Sequence, residues 1–182
     1  MLQEAYDTGQ RSFGENKVQE MVSKWELLPK DIQWHFIGHL QKNKVKYMAP
    51  FVSLIHGVDS LSTLREIDKQ AKKHQRVISC LLQAKIAEEA TKFGLHIVEI
   101  QKILSSEELK KMKNIKIIGL MGMASFTNET EQVAKEFRSL KSLFDQTDLA
   151  VLSMGMSGDY HIAIQEGATM IRLGSTIFGA RN

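Results

Sequence analysis

The chain has 182 residues, 43% hydrophobic and 25% charged, which suits one domain with its own core. The formal net charge of +3 comes from 24 basic and 21 acidic residues that are interleaved, which argues against a nucleic-acid-binding stripe. The single cysteine, Cys80, excludes an internal disulfide, which suits a reducing cytoplasm. The sequence shows neither a signal peptide nor an apolar stretch of membrane length. We therefore expect one cytoplasmic domain over residues 1–182 that binds neither nucleic acid nor membrane.

Short apolar or β-branched runs alternate along the chain with segments of helical pattern. The predicted strands are, in chain order, 11–13, 32–38, 52–58, 77–86, 115–123, 150–154 and 170–173. The predicted helices are 1–8, 18–27, 42–49, 61–74, 96–104, 107–112, 130–144 and 160–166. Apolar strands that are each followed by a helix indicate a parallel sheet covered by helices.

The number of strands favours a closed barrel over an open sheet. Seven strands exceed the five or six that are about usual in a doubly wound sheet, and they are one short of a TIM-type (β/α)8 barrel. The helix over 1–8, which Gly9 is placed to end, has no strand before it, although the alternation requires one. We therefore expect a (β/α)8 barrel whose first strand is missing from this chain, with seven strands visible.

Candidate binding groups follow the last two predicted strands, where barrels of this type often bind phosphate. The first of these loops contains Ser153, Met154, Gly155, Met156 and Ser157, and the second contains Gly174, Ser175 and Thr176. Small residues, hydroxyls and unblocked backbone amides at these positions predict a site for a phosphate dianion. Arg172 is predicted to face inward beneath the ligand, where it needs an acceptor, either in a ligand or in a structural salt bridge.

Six motifs along the chain carry a resemblance to a known family. They are 9–20 (GQRSFGENKVQE), 34–44 (WHFIGHLQKNK), 90–94 (ATKFG), 119–123 (GLMGM), 152–160 (LSMGMSGDY) and 167–181 (GATMIRLGSTIFGAR). On these residues the sequence resembles the pyridoxal phosphate homeostasis proteins, which are single-domain relatives of the alanine racemase barrel. The second and fifth motifs are long and specific, and the resemblance covers essentially the whole chain.

The resemblance implies a barrel that holds pyridoxal phosphate without strong catalytic activity, buffers it, delivers it to apo-enzymes and so influences amino-acid and keto-acid balance. It implies that residues 153–157 and 174–176 bind the phosphate. Arg172 would face the pyridine nitrogen, and Asn16 and Ile37 would line the ring pocket. A permanent cation beside that nitrogen disfavours its protonation, so the ring becomes a poorer electron sink, which is unhelpful for transamination and suits a carrier, or at most a racemase-like reaction.

The lysine that bonds the cofactor in this family has no counterpart here, because motif spacing places it about half a dozen residues before Met1. Lys17 is expected at a helix start outside the pocket, and Lys85 is expected to extend its ammonium group to water. Covalent binding is therefore expected to be lost. Two alternatives remain. One is a racemase-like enzyme, although helix packing explains Tyr160 and His161, near the phosphate loop, more simply than an acid–base role. The other is a remnant of the barrel that binds no cofactor.

Overall fold

The computed structural model describes residues 1–87 and 93–179, so motif residues 90–92 and 180–181 lie outside the described residues. The described strands are Ser12–Glu15 (β1), Gln33–Phe36 (β2), Leu54–Val58 (β3), Ile78–Ala84 (β4), Ile115–Gly122 (β5), Val151–Met156 (β6) and Met170–Arg172 (β7). The described helices are Leu2–Asp7 (α1), Val18–Leu27 (α2), Val45–Met48 (α3), Leu61–Lys73 (α4), Ile97–Leu104 (α5), Glu107–Lys111 (α6), Thr130–Phe144 (α7), Tyr160–Gln165 (α8) and Ser175–Phe178 (α9), with a 3-10 turn at Lys42–Lys44.

The seven strands are all parallel and pair in chain order from β1 to β7. They curve into a nearly closed barrel with helices around it, so the predicted TIM-type architecture is confirmed. Within the described residues, β1 pairs only with β2, and β7 pairs only with β6. All strands point the same way, so their carboxyl ends lie together at one mouth of the barrel, where function is located in this class of fold.

Apolar side chains fill two separate layers of the barrel. Between the sheet and the helices lies the larger cluster, which includes the fully buried Trp34 and Phe137. A smaller cluster of Leu54, Leu81 and Met121 fills the barrel interior. Because β4 is buried on both faces, its residues are apolar almost throughout, as a strand in a helix-covered parallel sheet requires.

Trp34 is among the largest side chains that are completely buried. Its ring packs against Phe13 of β1 with 6.3 Å between ring centroids. Its indole Nε1 has no hydrogen-bond partner within the part of the chain that the structure describes. The other tryptophan, Trp25, is partly buried and stacks on Phe51 with ring centroids 4.4 Å apart. The two indoles therefore occupy different environments.

The helix ends follow from local chemistry. Gly9 has a φ of 101°, its N–H donates to the carbonyl of Tyr6, and the N–H of Gln10 donates to the carbonyl of Ala5. This pair of bonds is a Schellman motif, which confirms Gly9 as the C′ residue of α1. Ser60 caps α4, since its hydroxyl accepts from the N–H of Thr63. No described helix has the length and apolar character to cross a membrane.

Strand β2 is shorter than the predicted 32–38, and the backbone beyond its end lies close to the end of β1. A Cβ on Gly38 would lie only 2.2 Å from the carbonyl oxygen of Asn16, so the backbone after Phe36 lies against the residue that follows β1. The N–H of Ile37 still donates to the carbonyl of Glu15 at 3.0 Å. This approach brings Asn16 and Ile37 to the same side of the barrel mouth.

Candidate cofactor-binding site

The loops after β6 and β7 meet at one hydroxyl group. Ser157 Oγ accepts a hydrogen bond from the N–H of Gly174 at 3.1 Å and another from the N–H of Thr176 at 3.3 Å. Gly174, Ser175 and Thr176 are all exposed. Backbone amides that converge on an oxygen atom at an exposed loop form the kind of concavity that binds anions.

The position of Ser157 depends on a tight turn at the end of β6. Gly155 has a φ of 91°, and a Cβ there would lie 2.5 Å from the Cβ of Ala163, so the position requires glycine. The N–H of Met156 donates to Asp159 Oδ1 at 2.6 Å, and the N–H of Asp159 donates to the carbonyl of Met156 at 3.0 Å. These bonds close the turn that presents Ser157 to the second loop.

Arg172, the last residue of β7, is held between two neighbouring strands. Its Nη1 donates to Ser153 Oγ at 2.6 Å, and its Nη2 donates to the carbonyl of Gly122 at 3.1 Å. Burial lowers the pKa of Arg172 to about 10, while the carboxylate of Asp159 acts in the opposite direction. The guanidinium therefore stays charged at neutral pH and provides a fixed cation at the barrel mouth.

Two histidines extend the contact between Arg172 and Ser153 across the barrel interior. His56 Nδ1 lies 3.0 Å from Ser153 Oγ, and His56 Nε2 lies 3.2 Å from Nδ1 of His35. Burial lowers the pKa of His35 to about 4. Burial, with smaller contributions from His35 and from Arg172, holds the pKa of His56 well below its usual value. Both imidazoles are therefore neutral at pH 7.

A cavity of about 300 Å³ opens at the same end of the strands. It is lined by Asn16, Ile37, Gly38, His39, Gln83, Phe93 and Met123. The ring of His39 stacks on Phe93 with centroids 4.1 Å apart, and His39 Nδ1 lies 3.6 Å from a carboxylate oxygen of Asp59. The cavity is large enough for a small aromatic ring and is mostly apolar, as ligand pockets generally are.

Comparison with known proteins places the chain in a family. Residues 1–182 match the family model described as alanine racemase, N-terminal domain. The chain is 39% identical to the pyridoxal phosphate homeostasis protein of Aquifex aeolicus, and the match covers all of this chain and 82% of that protein. It is 34% identical to the pyridoxal phosphate homeostasis protein of Escherichia coli K12, covering all of this chain and 80% of that protein.

The chain belongs to the pyridoxal phosphate homeostasis protein family. Among solved structures, PipY of Synechococcus elongatus PCC7942 with pyridoxal phosphate bound superposes with a TM-score of 0.87 at 34% identity, over 98% of this chain and 86% of that one. An alanine racemase of Clostridium difficile 630 superposes with a TM-score of 0.73 at 16% identity, over 97% of this chain and 47% of that one. The second likeness shows the shared fold only.

The structure brings the family's candidate residues to the barrel mouth in three groups. Asn16 and Ile37 line the cavity, and Ser157, Gly174, Ser175 and Thr176 form the loop site. Arg172 lies at the base of that loop site, because it ends the strand that precedes Gly174.

The side chains of Ser153 and Met154 are fully buried, and Met156 is 38% exposed. Ser153 faces Arg172, and the side chain of Met154 belongs to the layer under the helices, so only its backbone could meet a ligand.

The two lysines nearest the mouth differ in their surroundings. Lys17 immediately precedes α2, is 72% exposed and pairs with Glu20 at 3.0 Å, as expected for a helix start. It lines a second cavity of about 190 Å³ that shares Asn16 and His39 with the first. Lys85 follows β4 and is partly buried, and its backbone N–H donates to the carbonyl of Leu95.

Sequence reasoning missed His35 and His56, although both lie in predicted strands. Tyr160 and His161, which it named near the phosphate loop, begin α8, and their rings contact each other with centroids 3.8 Å apart. The positions of His35 and His56 in the predicted strands were the signal that could have identified them. His35 and His56 lie on strands of one barrel, and inward side chains of different strands meet in layers.

We expect the free energy of unfolding to fall as the pH is lowered from about 6.5 toward 4. In this window the unfolded chain protonates His35 and His56, whereas the folded chain keeps them neutral, so acid favours unfolding. For His35 alone, a pKa of about 4 in place of 6.5 corresponds to roughly 3 kcal/mol lost at the acid end.

Urea denaturation at several pH values between about 7 and 4 measures this dependence. His35→Phe should flatten the curve, whereas His74→Phe, at an exposed position, should leave it as in the wild type. A stability that stays constant down to about pH 4 would show that the two imidazoles are not held neutral.

Proposed function

We propose that the chain binds pyridoxal phosphate at the barrel mouth and acts as a non-catalytic carrier that buffers the cofactor and passes it to apo-enzymes in the cytoplasm. The observation that carries this proposal is the convergence of the Gly174 and Thr176 amides on Ser157 Oγ, in a loop that begins two residues after Arg172, the fixed cation of the barrel mouth. The cofactor, when bound, supplies a reactive aldehyde and an electron-accepting ring. Membership of the homeostasis family supports the same role.

The loop site fits a phosphate group. Two amides point at one oxygen position, which the Ser157 hydroxyl fills, and the exposed Ser175 lies between Gly174 and Thr176 in the chain. Hydrogen bonds to a charged acceptor are worth about 1.5–3 kcal/mol each, so a few such donors suffice for specific binding. Helix α9 has only four residues, so individual amides and hydroxyls, rather than a helix dipole, would provide the attraction.

The surroundings of Arg172 fit an unprotonated pyridine nitrogen. A guanidinium has five N–H donors, and two of those of Arg172 are used by Ser153 and Gly122, so others remain for a ligand acceptor. Asn16 and Ile37 would hold the ring at the cavity. A cation at the ring nitrogen weakens the ring as an electron sink, and this suits storage of the cofactor, or at most a racemase-like reaction, rather than transamination.

The barrel suggests how the covalent link of the family would be made. Within the described residues, the outer edges of β1 and β7 have no strand partner. We propose that an eighth strand outside residues 1–182 lies between them and carries the family's cofactor-bonding lysine. Residues 1–182 alone would then hold the cofactor through the loop site, Arg172 and the cavity.

We expect residues 1–182 to bind pyridoxal phosphate reversibly and to yield no cofactor adduct after borohydride reduction. Calorimetry should detect the binding, and pyridoxal, which lacks the phosphate, should bind at least about 10-fold more weakly, the equivalent of one lost charged hydrogen bond. Mass spectrometry after reduction checks for an adduct.

The control is a chimera that adds the corresponding strand of the Aquifex aeolicus relative, which should restore the adduct. An adduct on Lys17 or Lys85 of residues 1–182 would contradict the eighth-strand proposal. Absence of any binding would contradict the carrier function, and turnover of an amino acid in a racemase assay would favour the enzymatic alternative.

A further inference from the structure

Four side chains form a continuous hydrogen-bonded series through the barrel interior, starting at Arg172. The contacts run from Arg172 Nη1 to Ser153 Oγ (2.6 Å), from Ser153 Oγ to His56 Nδ1 (3.0 Å) and from His56 Nε2 to His35 Nδ1 (3.2 Å). The residues come from β7, β6, β3 and β2, so the series crosses from one side of the barrel to the other. Ser153 and His56 are completely buried.

The direction of each hydrogen bond in the series follows from Arg172. A guanidinium only donates, so Ser153 Oγ must accept from Arg172. The single hydroxyl proton of Ser153 is then directed to His56 Nδ1, which accepts it as an unprotonated nitrogen. The proton of the neutral His56 ring is therefore on Nε2 and is donated to His35 Nδ1. If Nδ1 of His56 carried the proton instead, Ser153 Oγ would accept from both Arg172 and His56, and its own hydroxyl proton would have no acceptor in the series.

We propose that His56 is a positioning residue that acts through Ser153 to hold the Arg172 guanidinium facing the cofactor's pyridine nitrogen. The proposal rests on the proposed cofactor binding. His56 keeps the lone pairs of Ser153 turned toward Arg172, and His35 fixes the ring of His56 from its other side. The carboxylate of Asp159, which accepts from the N–H of Met156, also attracts the Arg172 cation.

Loss of His56 frees the Ser153 hydroxyl to rotate, so Arg172 can turn toward Asp159. The expected change is in the orientation of the Arg172 side chain, and not only in the stability of the fold. It separates the proposal from a purely structural role of a buried histidine. His56→Asn provides the conservative variant, because the amide oxygen of asparagine can accept from Ser153 as Nδ1 of His56 does.

The first test uses NMR of the cofactor-free chain. The Nη1–H resonances of Arg172, whose donor nitrogen bonds Ser153, should be sharp and slow to exchange in the wild type, and His56→Leu should accelerate their exchange by about 10-fold, as expected when a buried hydrogen bond is lost. His56→Asn should restore most of the slow exchange. Leu81→Ala, which removes packing from the barrel interior without touching the series, should lower the melting temperature and leave the exchange of Arg172 unchanged.

The second test uses pyridoxal phosphate labelled with ¹⁵N in its ring. The nitrogen shift should be that of an unprotonated ring in the wild type and should move toward the protonated value in His56→Leu. Ser153→Ala should give the same change, and this smaller substitution replaces His56→Leu if the latter fails to fold. A wild type that binds no cofactor would overturn the proposed function, whereas exchange and ring shift unchanged in both variants would overturn the positioning role of His56.

Discussion

Replacement of Gly119 by alanine is expected to lower the free energy of unfolding by about 3 kcal/mol, the upper part of the usual range for an overpacked core. A Cβ on Gly119 would lie 1.9 Å from the carbonyl oxygen of Val151. Because Gly119 and Val151 are register partners of β5 and β6, rotation of a side chain cannot relieve this contact. One strand backbone must move away from the other.

The same substitution should disturb the candidate site, because Met121 and Ser153 are partners two residues further along these strands. A displaced β6 would shift Ser153 away from Arg172, so cofactor affinity should fall together with the melting temperature. Gly158→Ala is the matched control, since nothing lies within 4 Å of a Cβ at that position. Equal urea midpoints for Gly119→Ala and the wild type would mean that β5 and β6 are not packed as closely as described.

Replacement of Ser157 by aspartate is expected to reduce the affinity for pyridoxal phosphate at least about 100-fold while leaving the fold as stable or slightly more stable. The introduced carboxylate would accept from the Gly174 and Thr176 amides in place of the hydroxyl, and bonds to a charged acceptor are the stronger ones. It would also repel the phosphate, since two like charges about 4 Å apart near a protein surface interact by roughly 4 kcal/mol.

Opposite effects on affinity and stability distinguish this prediction from general damage to the loop. Calorimetric titration measures the affinity and thermal unfolding measures the stability. Ser157→Ala should be intermediate in affinity, and Ser142→Asp, which adds the same charge at an exposed position of α7, should leave the affinity unchanged. An aspartate variant that binds pyridoxal phosphate as tightly as the wild type would remove the loop site from the proposal.

The succession of strands could be predicted because short apolar or β-branched runs alternate along the chain with helical patterns. The strand bounds were less accurate where backbone contacts decide them. Strand β2 stops at Phe36, and the residues after it approach Asn16, a contact that joins positions distant in sequence. Strand β6 instead runs two residues beyond the predicted end, to Met156, because Met156 still pairs with Arg172.

The exposed loop residues could be proposed from the sequence, because they follow the last two strands, where barrels of this type often bind phosphate. The interior series could not. His56 contacts Ser153 across 97 positions of sequence and His35 across 21, and a histidine inside an apolar run looks like an ordinary core residue. Only the closed curvature of the sheet brings these side chains together.

The different environments of the two tryptophans have an optical consequence. Trp34, buried and without a polar partner among the described residues, should fluoresce at shorter wavelengths than the partly exposed Trp25. Trp34 also precedes Ile37, a cavity residue, by only three positions. A chromophore in that cavity that absorbs in the near ultraviolet would accept excitation energy from this indole. The protein's own emission would then report how much of it is loaded, without any attached dye.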